Sequence, residues 1–224
     1  VTDIATNVTD IATNVTDIAT NTSAISTLNN TTLANFSSGA RVYENTYDTG
    51  IGYNALDALT SGENNTAVGF SSLTDNTTGE ANTAIGANSL ANNTTGQQNT
   101  AIGWNALVTN TTGNYNIAIG IKSLYSNTVG RDNLAIGIDT LYYNTSGGYN
   151  TAVGTGALNK NTTGSLNSAF GHGALTNVET GSYNTAFGRN AGYSTTGSSN
   201  VFIGNEAGYG ETGSNKLYIS NSSS

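Results

Sequence analysis

The chain has 224 residues, a formal charge of −8, and neither Cys, Pro nor Met. The absence of cysteine excludes disulfide frameworks, thiolate metal sites and cysteine nucleophiles, and a single histidine, His172, excludes a multi-histidine metal cluster. Six basic residues in an acidic chain give the wrong sign and density for a phosphate-binding surface, so nucleic acid is not an expected partner.

Residues 1–21 are the heptad VTDIATN written three times. Val1, Val8 and Val15 share one heptad position, and Ile4, Ile11 and Ile18 share another three residues later, which is a coiled-coil seam and not the period of a strand. Val, Ile, Thr, Asn and Asp are poor helix formers, so such a helix must borrow stability from partner helices. β-Branched residues at both seam positions favour three strands. The sequence therefore predicts a trimeric α-helical coiled-coil stalk over 1–33. A neck follows over 34–50, with Arg41, Tyr43, Glu44 and Tyr47.

From residue 51 the sequence repeats. Gly52, Gly69, Gly86, Gly103, Gly120, Gly137, Gly154, Gly171 and Gly188 are spaced by 17 residues, and Gly204 follows after 16. The consensus is G-x-x-A/S-L-x-x-N-T-T-G-x-x-N-T-A-I/V/F. The 34 Asn and 37 Thr of the chain mostly fill this pattern. Seventeen residues are too few for two helices and a loop, and they fit one coil of a β-solenoid. In each coil Asn-Thr-Ala-Ile reads as a short strand, and Asn-Thr-Thr-Gly reads as a turn whose glycine supplies positive φ. The A/S-Leu patch is either a second strand or a half-turn. Stacking at about 4.8 Å would ladder like residues on like: Leu on Leu, Ile on Ile, Asn on Asn.

One Leu and one Ile or Val per coil make a thin core, with a flat Ala/Gly face opposite the Ile side. Both halves of the chain thus call for partners, and a homotrimer about one axis satisfies both. The fold class expected is mainly β, a trimeric parallel β-solenoid of 17-residue coils over 51–204. In the last two coils Ala191-Gly192-Tyr193 and Ala207-Gly208-Tyr209 replace the A-L signature, and a terminal cap is expected over 205–224, with the distinct strand Lys216-Leu217-Tyr218-Ile219. No run of about 18 apolar residues and no signal peptide is visible, so no membrane insertion is expected in this stretch, and an opening at Val1 fits a fragment or processed chain.

The repeat N-T-A-I-G-x-x-A-L joined to a trimer-type heptad resembles the head and stalk modules of trimeric autotransporter adhesins. It is more similar still to the Asn/Thr-rich repeats of trimeric phage and viral tail fibres, in which a G-S-N-K-L-Y-I segment, here Gly213–Ile219, closes the array. The resemblance covers residues 1–219. It implies a left-handed, trimeric β-roll exposed outside the cell or on a virion and used for attachment, with a host-surface or glycan receptor among its partners.

Residues that carry chemistry elsewhere are set aside here. His172 lies in G-H-G, a slot that other repeats fill with Phe70, Ala87, Trp104, Ile121, Ile138, Thr155 or Arg189, so no catalytic role is assigned and the chain is not expected to be an enzyme. Glu63 and Glu80, one repeat apart, read as solvated surface, as do Asp3, Asp10 and Asp17 on the stalk. No metal, cofactor or catalytic residue is assigned. The sequons at Asn76, Asn93, Asn110 and Asn161 read as turn chemistry. Tyr115, Tyr149 and Tyr183 share one column and Tyr125 and Tyr142 another, serving either as padding between coils or as a platform for sugars or partners. An alternative function is ice or carbohydrate binding through Thr/Asn arrays such as Thr78, Thr95, Thr112 and Thr163, a column broken by Val129 and Ser146.

Overall fold

The computed structural model of the chain describes residues 3, 6, 12–24, 40–42 and 47–220. Two compact units, Val1–Ala40 and Arg41–Ser224, are distinguished by their internal contacts.

In the first unit residues 12–24 form a helix, α1. Its threonines adapt to the helix by donating to the carbonyl four residues back: Thr16 to Ala12, Thr20 to Thr16 and Thr22 to Ile18, at 2.7–2.9 Å. The described seam residues Val15 and Ile18 are 60% and 65% exposed. The expected stalk over 1–33 and neck over 34–50 extend partly beyond the described residues.

The second unit is a parallel β-solenoid. Twelve three-residue strands follow in chain order in one sheet: β1 (Ala40–Val42), β2 (Thr49–Ile51), β3 (Thr66–Val68), β4 (Thr83–Ile85), β5 (Thr100–Ile102), β6 (Ile117–Ile119), β7 (Leu134–Ile136), β8 (Thr151–Val153), β9 (Ser168–Phe170), β10 (Thr185–Phe187), β11 (Val201–Ile203) and β12 (Leu217–Ile219). From β2 onward each strand pairs in parallel with the next, position for position, so that Thr83 faces Thr100, Ala84 faces Ala101 and Ile85 faces Ile102. Lys216–Ile219, expected as a different strand, supplies the last rung of this same ladder, with Leu217 opposite Val201.

The strand faces are inverted relative to the sequence reading. The central Ala of each strand points inward and is fully buried, from Ala67 through Ala186, while the Ile/Val/Phe that ends the strand points outward. A three-residue strand ending in a turn can put only its middle residue inside, and the interior there has room for a methyl group. The alanines of the Ala/Gly face expected to meet another copy are therefore core, while its glycines are half-buried. The A/S-Leu patch is a turn, and its leucines, from Leu56 to Leu175, are fully buried with φ of 50–54°. A left-handed non-glycine residue costs about 1–2 kcal/mol. Burying a leucine returns about 1.5–3 kcal/mol, so the strain is offset by packing.

The interior is completed by amide ladders. In one, the backbone N–H and Nδ2 of Asn99 both donate to Oδ1 of Asn82 (3.0 and 3.2 Å), and Nδ2 also donates to the Gly113 carbonyl (2.9 Å). The pattern repeats from Asn65 to Asn200. In the second, through Asn76, Asn93, Asn110, Asn127, Asn144 and Asn161, each Nδ2 donates to the glycine carbonyl three residues on, and from Asn93 each also donates to the Oδ1 one coil before. Both columns are buried. The interior of each coil thus holds two hydrogen-bonded amides beside its Ala and Leu side chains.

The turn glycines have another role than the one expected. Gly79, Gly96, Gly113, Gly130 and Gly147 do not lie in the left-handed region. A Cβ there would stand 2.3–2.5 Å from the Oδ1 of the ladder asparagine three residues before and 2.3–2.6 Å from the next coil's glycine carbonyl. They are glycine because two backbones and an amide meet there. Positive φ belongs instead to the glycine after each strand, Gly52 through Gly204, at 121–143°.

The last coils exchange parts. Gly192 and Gly208 take the leucine position, keeping its positive φ of 60°, and Phe202 takes the alanine position. A Cβ at either glycine would lie 2.4 Å from the Phe202 ring, so the ring occupies the space the leucine side chains fill elsewhere. Tyr218 packs on Phe202 with ring centres 5.9 Å apart. At the end of the second amide column, Glu211 accepts from the Gly213 N–H (2.6 Å) and the Tyr218 hydroxyl (2.8 Å). Those two bonds hold its carboxyl below the usual carboxylate range, and the same Glu211 bond and charge raise the Tyr218 phenol.

Candidate interaction surfaces

Among the described residues no group of three or more His, Asp or Glu is placed to hold a metal, and no helix is long and apolar enough to cross a membrane. His172 lies exposed in the turn after Gly171, and Glu63 and Glu80 are exposed on successive coils. Asp3 and Asp17 are exposed in the first unit, whereas Asp10 lies outside the described residues. The sequon residues Asn76, Asn93, Asn110 and Asn161 are fully buried ladder members, so their amides are inaccessible once the coils have closed. The turn threonines Thr78, Thr95, Thr112 and Thr163 form an exposed column on bends, together with Val129 and Ser146.

Two surfaces remain. The first is the outer face of the sheet. Its strand-ending residues run Ile51, Val68, Ile85, Ile102, Ile119, Ile136, Val153, Phe170, Phe187, Ile203 and Ile219, one per coil, with exposures reaching 62% at Phe187 and 70% at Ile219. Ten steps of about 4.8 Å make this row roughly 48 Å long. Beside it lie Tyr53 stacked on Phe70 (5.6 Å), then Trp104, Ile121 and Ile138, all 44–55% exposed. Val68, Ile102, Ile119, Ile136 and Val153 in this row are half-buried, and the other six residues are exposed. The sequence signal for it was the strand alternation itself, assigned to the opposite face.

The second surface is on the turn side. Tyr125 and Tyr142 stack with ring centres 4.9 Å apart and planes 3° from parallel, and Tyr143 meets Tyr142 edge-on at 4.6 Å. Lys122 Nζ sits 5.3 Å from the Trp104 ring centre and 6.0 Å from that of Tyr142. Burial first, then the charges of Tyr125, Tyr143 and Asp139, raise the Tyr142 phenol above its ordinary range and keep it neutral. Next to this stack is a shallow groove of about 520 Å³ lined by Ser126, Tyr143, Thr145, Lys160, Thr162 and Glu179. The other tyrosine column does not stack on itself: Tyr115, Tyr149 and Tyr183 are separated by Asp132 and Leu166, and Arg131 lies 5.6 Å from the Tyr149 ring centre.

Compared with known protein families, curated proteins and solved structures, the chain matches none of them.

Proposed function

We propose that this chain is a structural and adhesive segment of a homotrimeric fibre. In this reading a coiled-coil stalk carries a left-handed β-solenoid shaft, displayed outside a cell or on a virion, that attaches to a surface receptor without catalysis of its own. The observation that carries the reading is the outward Ile/Val/Phe row. It spans every strand from β2 to β12 and contributes nothing to the chain's own core, so its regularity calls for a partner of the same pitch. A second and third copy have that pitch by construction. The exposed Val15 and Ile18 of α1 support the same stoichiometry, since β-branched seam residues favour three helices.

Light scattering on the purified chain should give three times the 22.8 kDa of one copy. Replacing Ile102, Ile119 and Ile136 with Ser should shift the mass toward one copy while the circular dichroism of the coils is kept, because these side chains lie outside the core. Unmodified protein that stays monomeric at high micromolar concentration rules out the trimer.

A second reading has one observation in its favour. The strand-opening residues Thr49, Thr66, Thr83, Thr100, Thr151 and Thr185 also face outward, two residues before the apolar row, on evenly spaced rungs. Ice or ordered water would be held by these strand threonines and not by Thr78, Thr95, Thr112 and Thr163. Ile117, Leu134 and Ser168 interrupt the array, and Val201 and Leu217 end it. Absence of thermal hysteresis discards this reading.

A further inference from the structure

We infer that the groove beside Tyr143 is a binding site for a neutral pyranose sugar. The inference names the receptor chemistry of the attachment reading above and rests on it only for its biological sense, because the groove lies within one chain and none of its lining residues belongs to a strand.

Departures from the repeat converge on this place. Tyr143 and Lys160 stand in the slot that holds Asp75, Asn92, Thr109, Ser126, Asn177 and Ser194 in other coils. Glu179 stands in the slot that holds Thr60, Thr77, Thr94, Thr111, Thr128, Thr145 and Thr162. In an array whose coils otherwise copy one another, one aromatic, one cation and one anion meet around a single depression. Coil stacking needs none of them, since the neighbouring coils stack with small polar residues in the same slots.

The chemistry of the depression suits one ligand class. Tyr143 is half exposed, and its ring is braced edge-on by Tyr142, which is itself stacked flat on Tyr125. This gives a preorganised apolar platform of the kind that packs against the C–H face of a sugar ring. Opposite it, the hydroxyls of Thr145 and Thr162 are committed as donors to the carbonyls of Thr162 and Glu179, at 3.0 and 2.9 Å, so they offer acceptor lone pairs outward. The Glu179 carboxylate accepts, the Lys160 ammonium donates, and Ser126 can do either. Sugar hydroxyls both donate and accept, which this mixed rim satisfies. A free anion would meet Glu179 within a chain of net charge −8. The volume lies in the range of small-ligand clefts.

Saturation-transfer NMR on the full chain, with the methyl glycosides of glucose, galactose, mannose and N-acetylglucosamine as probes and inorganic sulfate as competitor, tests this. At least one glycoside should receive saturation on the C–H protons of one ring face. Tyr143→Asn, which installs the residue found at positions 92 and 177 of the same slot, should weaken binding tenfold or more with unchanged circular dichroism. Glu179→Thr, the repeat's own residue, should weaken it at least threefold. Tyr209→Thr, in the separate Tyr193–Tyr209 stack, should leave it intact. No transfer to any of the four glycosides, transfer that survives Tyr143→Asn, or displacement by sulfate overturns the inference. Light scattering on the same sample separates the two readings: a monomer that binds the glycoside refutes the fibre and not the groove, and a trimer that binds none refutes the groove and not the fibre.

Discussion

Replacing Asn116 with Ala tests what holds the solenoid together. Asn116 Oδ1 accepts from the backbone N–H and the Nδ2 of Asn133 (3.2 and 3.1 Å), and Asn116 Nδ2 donates to Asn99 Oδ1 (3.2 Å) and the Gly130 carbonyl (2.8 Å). The acceptors survive the change, because Asn99 Oδ1 still receives the residue-116 backbone N–H (3.0 Å) and Gly130 O still receives Asn127 Nδ2 (3.0 Å). The donors of Asn133 do not: its backbone N–H and one amide proton are left buried without a partner. At about 1–3 kcal/mol for each such group the loss is about 2–6 kcal/mol, before any cavity term. An exposed control, Thr112→Ala, should stay within about 0.5 kcal/mol. Urea unfolding followed by circular dichroism gives the total. Long repeat arrays need not unfold in one step, so hydrogen exchange at the Asn133 and Leu134 amides should report the local loss. An Asn116→Ala loss below about 1 kcal/mol, equal to the control, would show that the ladder does not bear the fold.

Three further expectations follow from the same geometry. Gly113→Ala should cost several times more than Gly156→Ala in urea unfolding: a Cβ at 113 meets Asn110 Oδ1 at 2.3 Å and the Gly130 carbonyl at 2.4 Å, whereas a Cβ at 156 meets nothing within 4 Å and carries only the penalty of its φ of 68°, about 1–2 kcal/mol. Val178 interrupts the second amide column and leaves the buried Asn161 Oδ1 without a donor, so Val178→Asn should hold or raise the urea midpoint, and a loss above about 1 kcal/mol would contradict this account. Because the folded-state carboxyl of Glu211 is lowered, its contribution is present above the ordinary carboxylate range and is lost as pH falls through the lowered value. The protection of the β12 amides from exchange, taken relative to the intrinsic rate at each pH, should therefore fall on acidification, and Glu211→Gln should flatten that dependence.

The repeat and its period were legible because glycine, leucine and asparagine recur at fixed offsets, and the turn at Asn-Thr-Thr-Gly was legible in place, though its glycine is required by crowding and not by positive φ. Which strand face points inward was not. Alternation marks Ala84 and Ile85 as opposite without saying which is inside, and hydrophobicity alone favours Ile85 for the core. Space decided otherwise, because the leucine turn and two amide columns leave the strand centre only a methyl's width. Left-handed leucines could not be foreseen either, since no local preference encodes them and packing overrides their cost. The exchange of Leu for Gly192 and Gly208 was visible as a change of signature, but its partner Phe202 is ten residues from the first and six from the second, and only stacking brings them together. The groove had a sequence trace in Tyr125, Tyr142, Tyr143, Lys160 and Glu179, none of which gains meaning until four successive coils are laid side by side.

The amide columns leave the folding chain a puzzle of bookmarks. Every rung offers the next the same acceptor and the same donor, so a strand that docks one rung too early finds nearly the partners it would find at home. Identical teeth let a zipper close out of step. The odd rungs are what break the degeneracy: Asp48, whose second oxygen is buried without a partner, Val178 with no amide to give, and Phe202 seated between two glycines. Each fits at one address only, and an array stripped of them would keep its strength and lose its count.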